Sequence, residues 1–220
     1  MKRLFLALPL LAACTTDSDV RPDPGPALYR VRFETTWSAA THPQDFPADA
    51  HFSRLIGAAH HGAAALFRPG SPASVGIKDL AERGHNAALI GEIRGLQATG
   101  AAAALLESHQ LYTYVPGELV DTVALSARHP RLSAVTMIAP SPDWFVALES
   151  ENLLDEAGCW RLHAVVPARA YDAGTDSGPS FASPDQVTSP AQPIQIITNG
   201  PLSRNGAVAP LGVFHLDRIR

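Results

Sequence analysis

Residues 132–148 read Leu132-Ser-Ala-Val-Thr-Met-Ile-Ala-Pro140-Ser-Pro142-Asp143-Trp-Phe-Val-Ala-Leu148. Two apolar runs rich in β-forming residues, 132–139 and 144–148, stand on either side of the segment Pro-Ser-Pro. Proline cannot donate to a strand ladder and is common in turns, so the pattern predicts two strands joined by a tight turn. Asp143 lies where that turn meets the second strand.

The rest of the chain repeats this pattern of short strands separated by turn residues. Tyr29, Val31 and Phe33 alternate with polar neighbours, which predicts a half-buried strand. Further strands are expected over 119–126, 160–166, 194–198 and 211–216. Many short strands with frequent turn signals indicate a mainly all-β protein, an antiparallel β-sandwich.

The middle of the chain has helical signals, and we expect short helical insertions there. Residues 77–84 predict a short helix closed by Gly84. Asn86 stands where it could cap a second helix over 87–94, and 101–106 predict a further helical turn.

A second acidic segment, Asp172-Ala-Gly-Thr-Asp176-Ser-Gly178, follows 29 residues after Asp143. Two carboxylates on a glycine-containing loop can converge on one point, and calcium favours such oxygen ligands. The alternative is a solvated turn, because aspartate and glycine are ordinary turn residues.

The N-terminus has the pattern of an export signal. Lys2 and Arg3 precede a short apolar run, and the small residues before Cys14 are typical of a bacterial lipobox, although a plain signal peptide remains the alternative. We therefore expect a lipoprotein signal peptide over 1–13, a lipidated Cys14 with a proline-rich tether over 14–27, and a folded domain over 28–220. Thr15 after the cysteine favours the outer membrane of a Gram-negative cell.

The charge and cysteine content of the chain exclude some kinds of partner and of cross-link. Removal of residues 1–13 leaves 15 basic against 21 acidic residues, a net charge of −6, which argues against nucleic acid as a partner. With Cys14 lipidated, Cys159 has no disulfide partner, and we expect it to be buried beside Trp160.

Several segments in order resemble the spondin N-terminal domain family. They are Tyr29–Phe33, Trp37-Ser38, His42-Pro43, Asp45–Pro47, His51–Ser53, His60, Ala73–Lys78, Leu80–Glu82, Met137–Phe145 and Tyr171–Gly178. The resemblance implies a sandwich similar to a C2 domain, with loops at one end that bind Ca²⁺. The resemblance implies that Asp143, Asp172 and Asp176 correspond to the metal ligands of the family.

The resemblance also implies a function without catalysis. We expect adhesion or recognition at the cell envelope, with the membrane contacted through the lipid anchor and an extracellular or envelope protein or carbohydrate as ligand. The alternative is an uncharacterised envelope hydrolase. Its nearest serine motifs, 72–76 and 178–182, each lack one glycine of Gly-x-Ser-x-Gly. A zinc site among His42, His51, His60 and His61 is disfavoured, because their spacing fits no compact ligand pattern.

Overall fold

The computed structural model describes residues 24–220. The expected signal peptide, Cys14 and nearly all of the tether lie outside the described residues, so the predictions on them stay predictions. The regular elements of the described part are fourteen strands, two α-helices and a short 3-10 helix over Gly200–Leu202. Most strand pairs are antiparallel neighbours in two large sheets, which confirms the predicted antiparallel sandwich.

The elements follow one another along the chain as follows. They are β1 Ala27–Thr35, β2 His51–Ser53, β3 Ile56–His60, α1 Val75–Arg83, α2 Ala87–Ala98, β4 Ala102–Glu107, β5 Tyr112–Tyr114, β6 Glu118–Leu125, β7 Arg131–Ala139, β8 Trp144–Asn152, β9 His163–Pro167, β10 Arg169–Asp172, β11 Gln195–Ile196, β12 Ser203–Arg204, β13 Ala207–Val208 and β14 Gly212–Arg218.

The strands form a smaller and a larger sheet. The four-stranded sheet has the order β6-β1-β14-β9. The eight-stranded sheet has the order β11-β10-β8-β7-β2-β5, with β3 paired to both β7 and β4. Strands β12 and β13 form a separate two-stranded ribbon.

Residues 132–139 of β7 and 144–148 of β8 are mostly apolar because both faces of the larger sheet are covered there. From β8, Val146 and Leu148 pack into the core shared with the smaller sheet. Phe145 and Ala147, on the opposite face, pack into a second core that includes residues of α1 and α2. Continuous apolar strands are typical of sheets buried on both sides, which explains the sequence of 132–148.

The strand predictions over 29–33, 119–126, 132–139, 144–148 and 211–216 each coincide with a strand of the structure. The prediction over 194–198 is confirmed only for Gln195–Ile196, which form β11. The predicted strand over 160–166 begins later, at His163.

The helix predictions were confirmed for α1 and partly for α2. Ser74 caps α1 through its side chain, and Gly84 ends that helix in the left-handed conformation, at φ 65°. Helix α2 continues to Ala98, and the Asn86 side chain makes no capping hydrogen bond. The predicted helical turn over 101–106 was wrong: these residues form β4, because pairing with β3 overrides the helix propensity of their alanines.

The prediction for Cys159 was also wrong. It is an exposed free thiol in the loop between β8 and β9, where its backbone N–H donates to the Asp155 carboxylate at 2.8 Å. The turn that this bond closes holds the side chain out of the core.

Neither helix within residues 24–220 is long and apolar enough to cross a membrane.

Candidate metal centre

Strand pairing brings the two acidic segments together. Strand β10 runs antiparallel to β8, with Asp172 opposite Trp144. The backbone N–H of Ala173 donates to the carbonyl of Asp143 at 3.1 Å, which continues this pairing by one step. The turn before β8 and the loop after β10 therefore meet at the same end of the larger sheet.

Asp143 is fully buried and uses its two carboxylate oxygens very differently. Its Oδ2 accepts hydrogen bonds from the backbone N–H of Thr175 at 2.7 Å, the Thr175 hydroxyl at 3.2 Å and the backbone N–H of Asp176 at 3.1 Å. Its Oδ1 is buried and has no hydrogen-bond partner within the described protein. Asp143 thus holds the loop after β10 with one oxygen and leaves the other unsatisfied.

The other two carboxylates organise the loop itself. Asp172 accepts from the backbone N–H of Gly174 at 2.7 Å. Asp176 accepts from the N–H groups of Gly178 at 2.7 Å and Gln186 at 2.9 Å. The bonds from Gly174 and Gly178 are of the Asx type that favours aspartate in such loops, so these residues also have a local structural role. The bond from Gln186 instead ties Asp176 to a segment ten residues later.

Burial and the neighbouring negative charge make the ionised forms of Asp143 and Asp172 unfavourable without a counter-charge. Burial, with the negative charge of Asp172 as the second cause, raises the pKa of Asp143 to about 6, although the bonds from Thr175 and Asp176 oppose the shift. Burial also raises the pKa of Asp172, and the charge of Asp176 adds to that rise. Like charges held this close disfavour the ionised forms.

As the side chains stand, residues 24–220 contain no group of three or more His, Cys, Asp or Glu placed to hold a metal ion. The chemistry of the donors nevertheless fits a hard cation. A buried oxygen without a partner is costly, and a divalent cation would satisfy the Asp143 Oδ1 and offset the repulsion between the three carboxylates. The structure therefore places the three predicted residues at the same end of the larger sheet.

Sequence reasoning missed the segment that encloses this loop. The N–H of Thr188 donates to the carbonyl of Thr175 at 2.9 Å, and the N–H of Gln192 donates to that of Gly174 at 2.8 Å. Gly174 has a φ of 73°, and a Cβ there would collide with the carbonyl of Gln192. The polar, proline-rich residues 183–193 look like a linker in sequence, and only the Gly174 position hints at a close backbone neighbour.

The residues of the rival sites lie apart and are bonded locally. His42 contacts the Ala209 carbonyl, His51 the Asp49 carbonyl, and His60 the His61 carbonyl and the Ser133 hydroxyl. The Ser74 hydroxyl caps α1 and donates to Glu92 at 2.8 Å. Ser180 contacts the Ser183 hydroxyl at 3.0 Å. Neither serine has a histidine as a hydrogen-bond partner among the described residues, so neither is arranged as a nucleophile.

Comparison with known proteins agrees with the order of motifs in the chain. The Spondin_N family model matches residues 27–207. The chain belongs to the spondin N-terminal domain family. This confirms the predicted resemblance, and the match includes both loops of the candidate metal centre.

The chain matches only part of the length of its curated relatives. Human spondin-2 is 35% identical over 202 residues, which cover 88% of this chain and 58% of the relative. Rat spondin-1 is 34% identical over 180 residues, 80% of this chain and 22% of the relative. Chicken spondin-1 is 37% identical over 182 residues, with the same coverage. The chain thus spans little more than half of spondin-2 and about a fifth of spondin-1.

Proposed function

We propose that this chain is an exported, calcium-binding recognition domain, anchored at the cell envelope through Cys14, that carries out adhesion or recognition and no catalysis. The observation that carries the calcium assignment is the fully buried Asp143, whose Oδ1 has no partner beside two further carboxylates. The family supports export and a recognition role, and the candidate serine sites lack the contacts that the hydrolase alternative needs.

The proposed ligands are Asp143, Asp172 and Asp176, completed by backbone carbonyls and water. Calcium is preferred to magnesium because it takes about six to eight oxygens in flexible geometry, whereas magnesium requires a strict octahedron and keeps most of its waters. A bound cation would supply positive charge between the turn before β8 and the loop after β10. The chain's own contribution is to hold those two segments together through the Asp143 Oδ2.

Chelation provides the experiment for this function. Removal of calcium with EDTA is expected to lower the melting temperature of the purified protein, because three unneutralised carboxylates then destabilise the folded state. Asp176→Asn should remove most of that difference between calcium and EDTA. Asp49→Asn is the matched control, since Asp49 is exposed and only its carbonyl is hydrogen-bonded. An EDTA effect of equal size in wild type and Asp176→Asn would contradict the assignment.

The anchor has a separate experiment. Wild-type protein expressed in a Gram-negative host should fractionate with the outer membrane and incorporate labelled palmitate, because acylation of Cys14 requires its thiol. Cys14→Ser should lose both the label and the membrane association. Cys159→Ser is the matched control and should keep both. A wild-type protein that is soluble and unlabelled would remove the anchor from the proposal.

A further inference from the structure

A cleft of about 320 Å³ opens beside the candidate metal centre. Asp172, Gly174 and Asp176 line one side of it, and Gln192, Gln195 and Asn199 belong to the segment that forms the other. Small-molecule sites are concave and have volumes of roughly 300–1,000 Å³, so this cleft has room for a ligand of about the size of one sugar ring.

The walls of the cleft are held by backbone hydrogen bonds. Strand β11 pairs with β10, with Gln195 opposite Asp172. The N–H of Ile197 donates to the carbonyl of Ala170 at 3.0 Å, and that of Gln192 to the carbonyl of Gly174 at 2.8 Å. Because these bonds bind the two walls to each other, the cleft is formed before any ligand arrives, which reduces the entropy cost of binding.

The side chains that line the cleft are mostly neutral and polar. Gln192, Gln195 and Asn199 are amides, and Thr188 and Thr198 are hydroxyls. Within residues 24–220, the side chains of Gln195, Thr198 and Asn199 have no hydrogen-bond partner in the protein. Each amide offers both donors and acceptors, and a sugar hydroxyl is likewise both a donor and an acceptor.

The same lining disfavours other ligand classes. None of the described residues that line the cleft is a lysine, arginine, histidine or aromatic residue. An anionic ligand would therefore meet the carboxylates of Asp172 and Asp176 without a compensating cationic side chain, and a flat aromatic ligand would find no ring to stack on. Pro193, Ile196 and Ile197 add apolar surface that suits the C–H groups of a sugar ring.

We infer that this cleft binds a neutral, polyhydroxylated ligand, a sugar unit of a glycan, between the amides of Gln195 and Asn199 and the loop after β10. The inference rests on the proposed function, because it names the ligand of the recognition site. A cation bound there would offset the charge of Asp172 and Asp176, which leaves neutral hydroxyls as the preferred partners.

Saturation-transfer difference NMR on the full mature chain tests this inference. The probes are methyl α-mannoside, methyl β-galactoside and N-acetylglucosamine, each measured with calcium and with EDTA. At least one sugar should give a signal, and Gln195→Ala with Asn199→Ala should weaken its binding at least about fivefold, since each lost hydrogen bond contributes about 1 kcal/mol. Gln44→Ala, an exposed amide outside the cleft, should bind as wild type does.

Two results would overturn the inference. One is the absence of signal from all three sugars in a protein whose melting temperature still rises with calcium, which would leave the metal proposal intact. The other is unchanged sugar binding in the double variant. A protein that binds sugar but shows no calcium effect on melting would instead contradict the metal proposal and keep the cleft as a glycan site.

Discussion

Asp143 joins the fold to the candidate site because its two oxygens have different tasks. The three hydrogen bonds to Oδ2 attach the loop after β10 to the turn before β8. The unsatisfied Oδ1 lies in a fully buried residue, where a polar group without a partner costs about 1–3 kcal/mol. If Asp143 only held the loop, asparagine could do so equally well. The second, charged oxygen is therefore the feature that indicates a cation.

Two buried histidines contribute to the dependence of stability on pH. Burial lowers the pKa of His42 and of His60 from the ordinary value of 6.5. The Nδ1 of His60 donates to the carbonyl of His61, so its Nε2 accepts from the Ser133 hydroxyl at 2.8 Å. The contact at Nε2 requires the neutral ring, because a protonated histidine has no acceptor.

We predict from these shifts that protonation of His60 favours unfolding. Below about pH 6.5 the unfolded chain binds more protons at this residue than the folded chain does, so its contribution to stability falls as the pH is lowered from 7 to 5. His60→Asn should reduce the change in urea midpoint between these two pH values. Comparing the two proteins separates the contribution of His60 to the pH dependence from that of Asp143. The raised pKa of Asp143 makes its contribution to stability increase as the pH falls over the same range. An identical pH dependence in the two proteins would contradict this account.

At the scale of elements, one of the two register irregularities in the larger sheet has a clear cause. The pairing of β7 with β8 shifts between Leu132 and Ala134. Ser150 has a φ of 51° there, and its N–H donates to the Ser133 hydroxyl at 3.0 Å. The chain of bonds from Ser150 through Ser133 to His60 thus supports the bulge, and bulges increase the local twist of a strand.

Helices α1 and α2 contain two kinds of glycine. Packing between the helices requires glycine at one position and does not require it at two others. Gly76 in α1 lies against α2, and a Cβ there would stand 2.6 Å from the Cα of Leu89. Gly91 and Gly95 in α2 have no atom within 4 Å of an added Cβ.

We therefore predict opposite effects of alanine at these positions. Gly91→Ala and Gly95→Ala should each increase the free energy of unfolding by about 0.5–1 kcal/mol, through the higher helix propensity of alanine. Gly76→Ala should decrease it by about 1–3 kcal/mol, because α1 and α2 must move apart. Urea denaturation measures all three. Destabilisation by Gly91→Ala, or none by Gly76→Ala, would show that the packing of α1 on α2 differs from this structure.

The fold was predictable where the local pattern and the tertiary environment agree. The runs on either side of Pro140 became β7 and β8 as expected, because continuous apolar sequence suits strands buried on both faces. The helical prediction for residues 101–106 was wrong because alanine favours helices. Pairing with β3 makes these residues a strand, and the local sequence does not show that partner. Strands β2 and β5 have three residues each and are too short to show a period.

The candidate site was predictable to a similar extent. Asp143, Asp172 and Asp176 were predicted through the family motifs, and strand pairing explains why residues so distant in sequence lie at one end of the sheet. The wall formed by residues 186–199 has no such motif. Its position depends on backbone bonds to Gly174 and Thr175, which leave little trace in side-chain identity.

At the scale of the whole molecule, two cores share the larger sheet. One lies between the sheets and the other beneath the helices. The turn before β8 and the loop after β10 stand at one end of that sheet, on strands buried on both sides. Sites on rigid elements hold their geometry better than sites on free loops, so the fold supplies a stable base for recognition at this end.

Isothermal titration calorimetry of the metal-free protein with calcium chloride is the most direct test of the central claim. The account predicts one Ca²⁺ per chain, binding at least about tenfold weaker in Asp143→Asn, a loss of at least about 1.4 kcal/mol, and unchanged binding in Asp49→Asn. Asparagine keeps an acceptor for the N–H groups of Thr175 and Asp176, so the variant should stay folded. A folded wild-type protein that binds no calcium, or an Asp143→Asn variant that binds it as tightly, would contradict the claim.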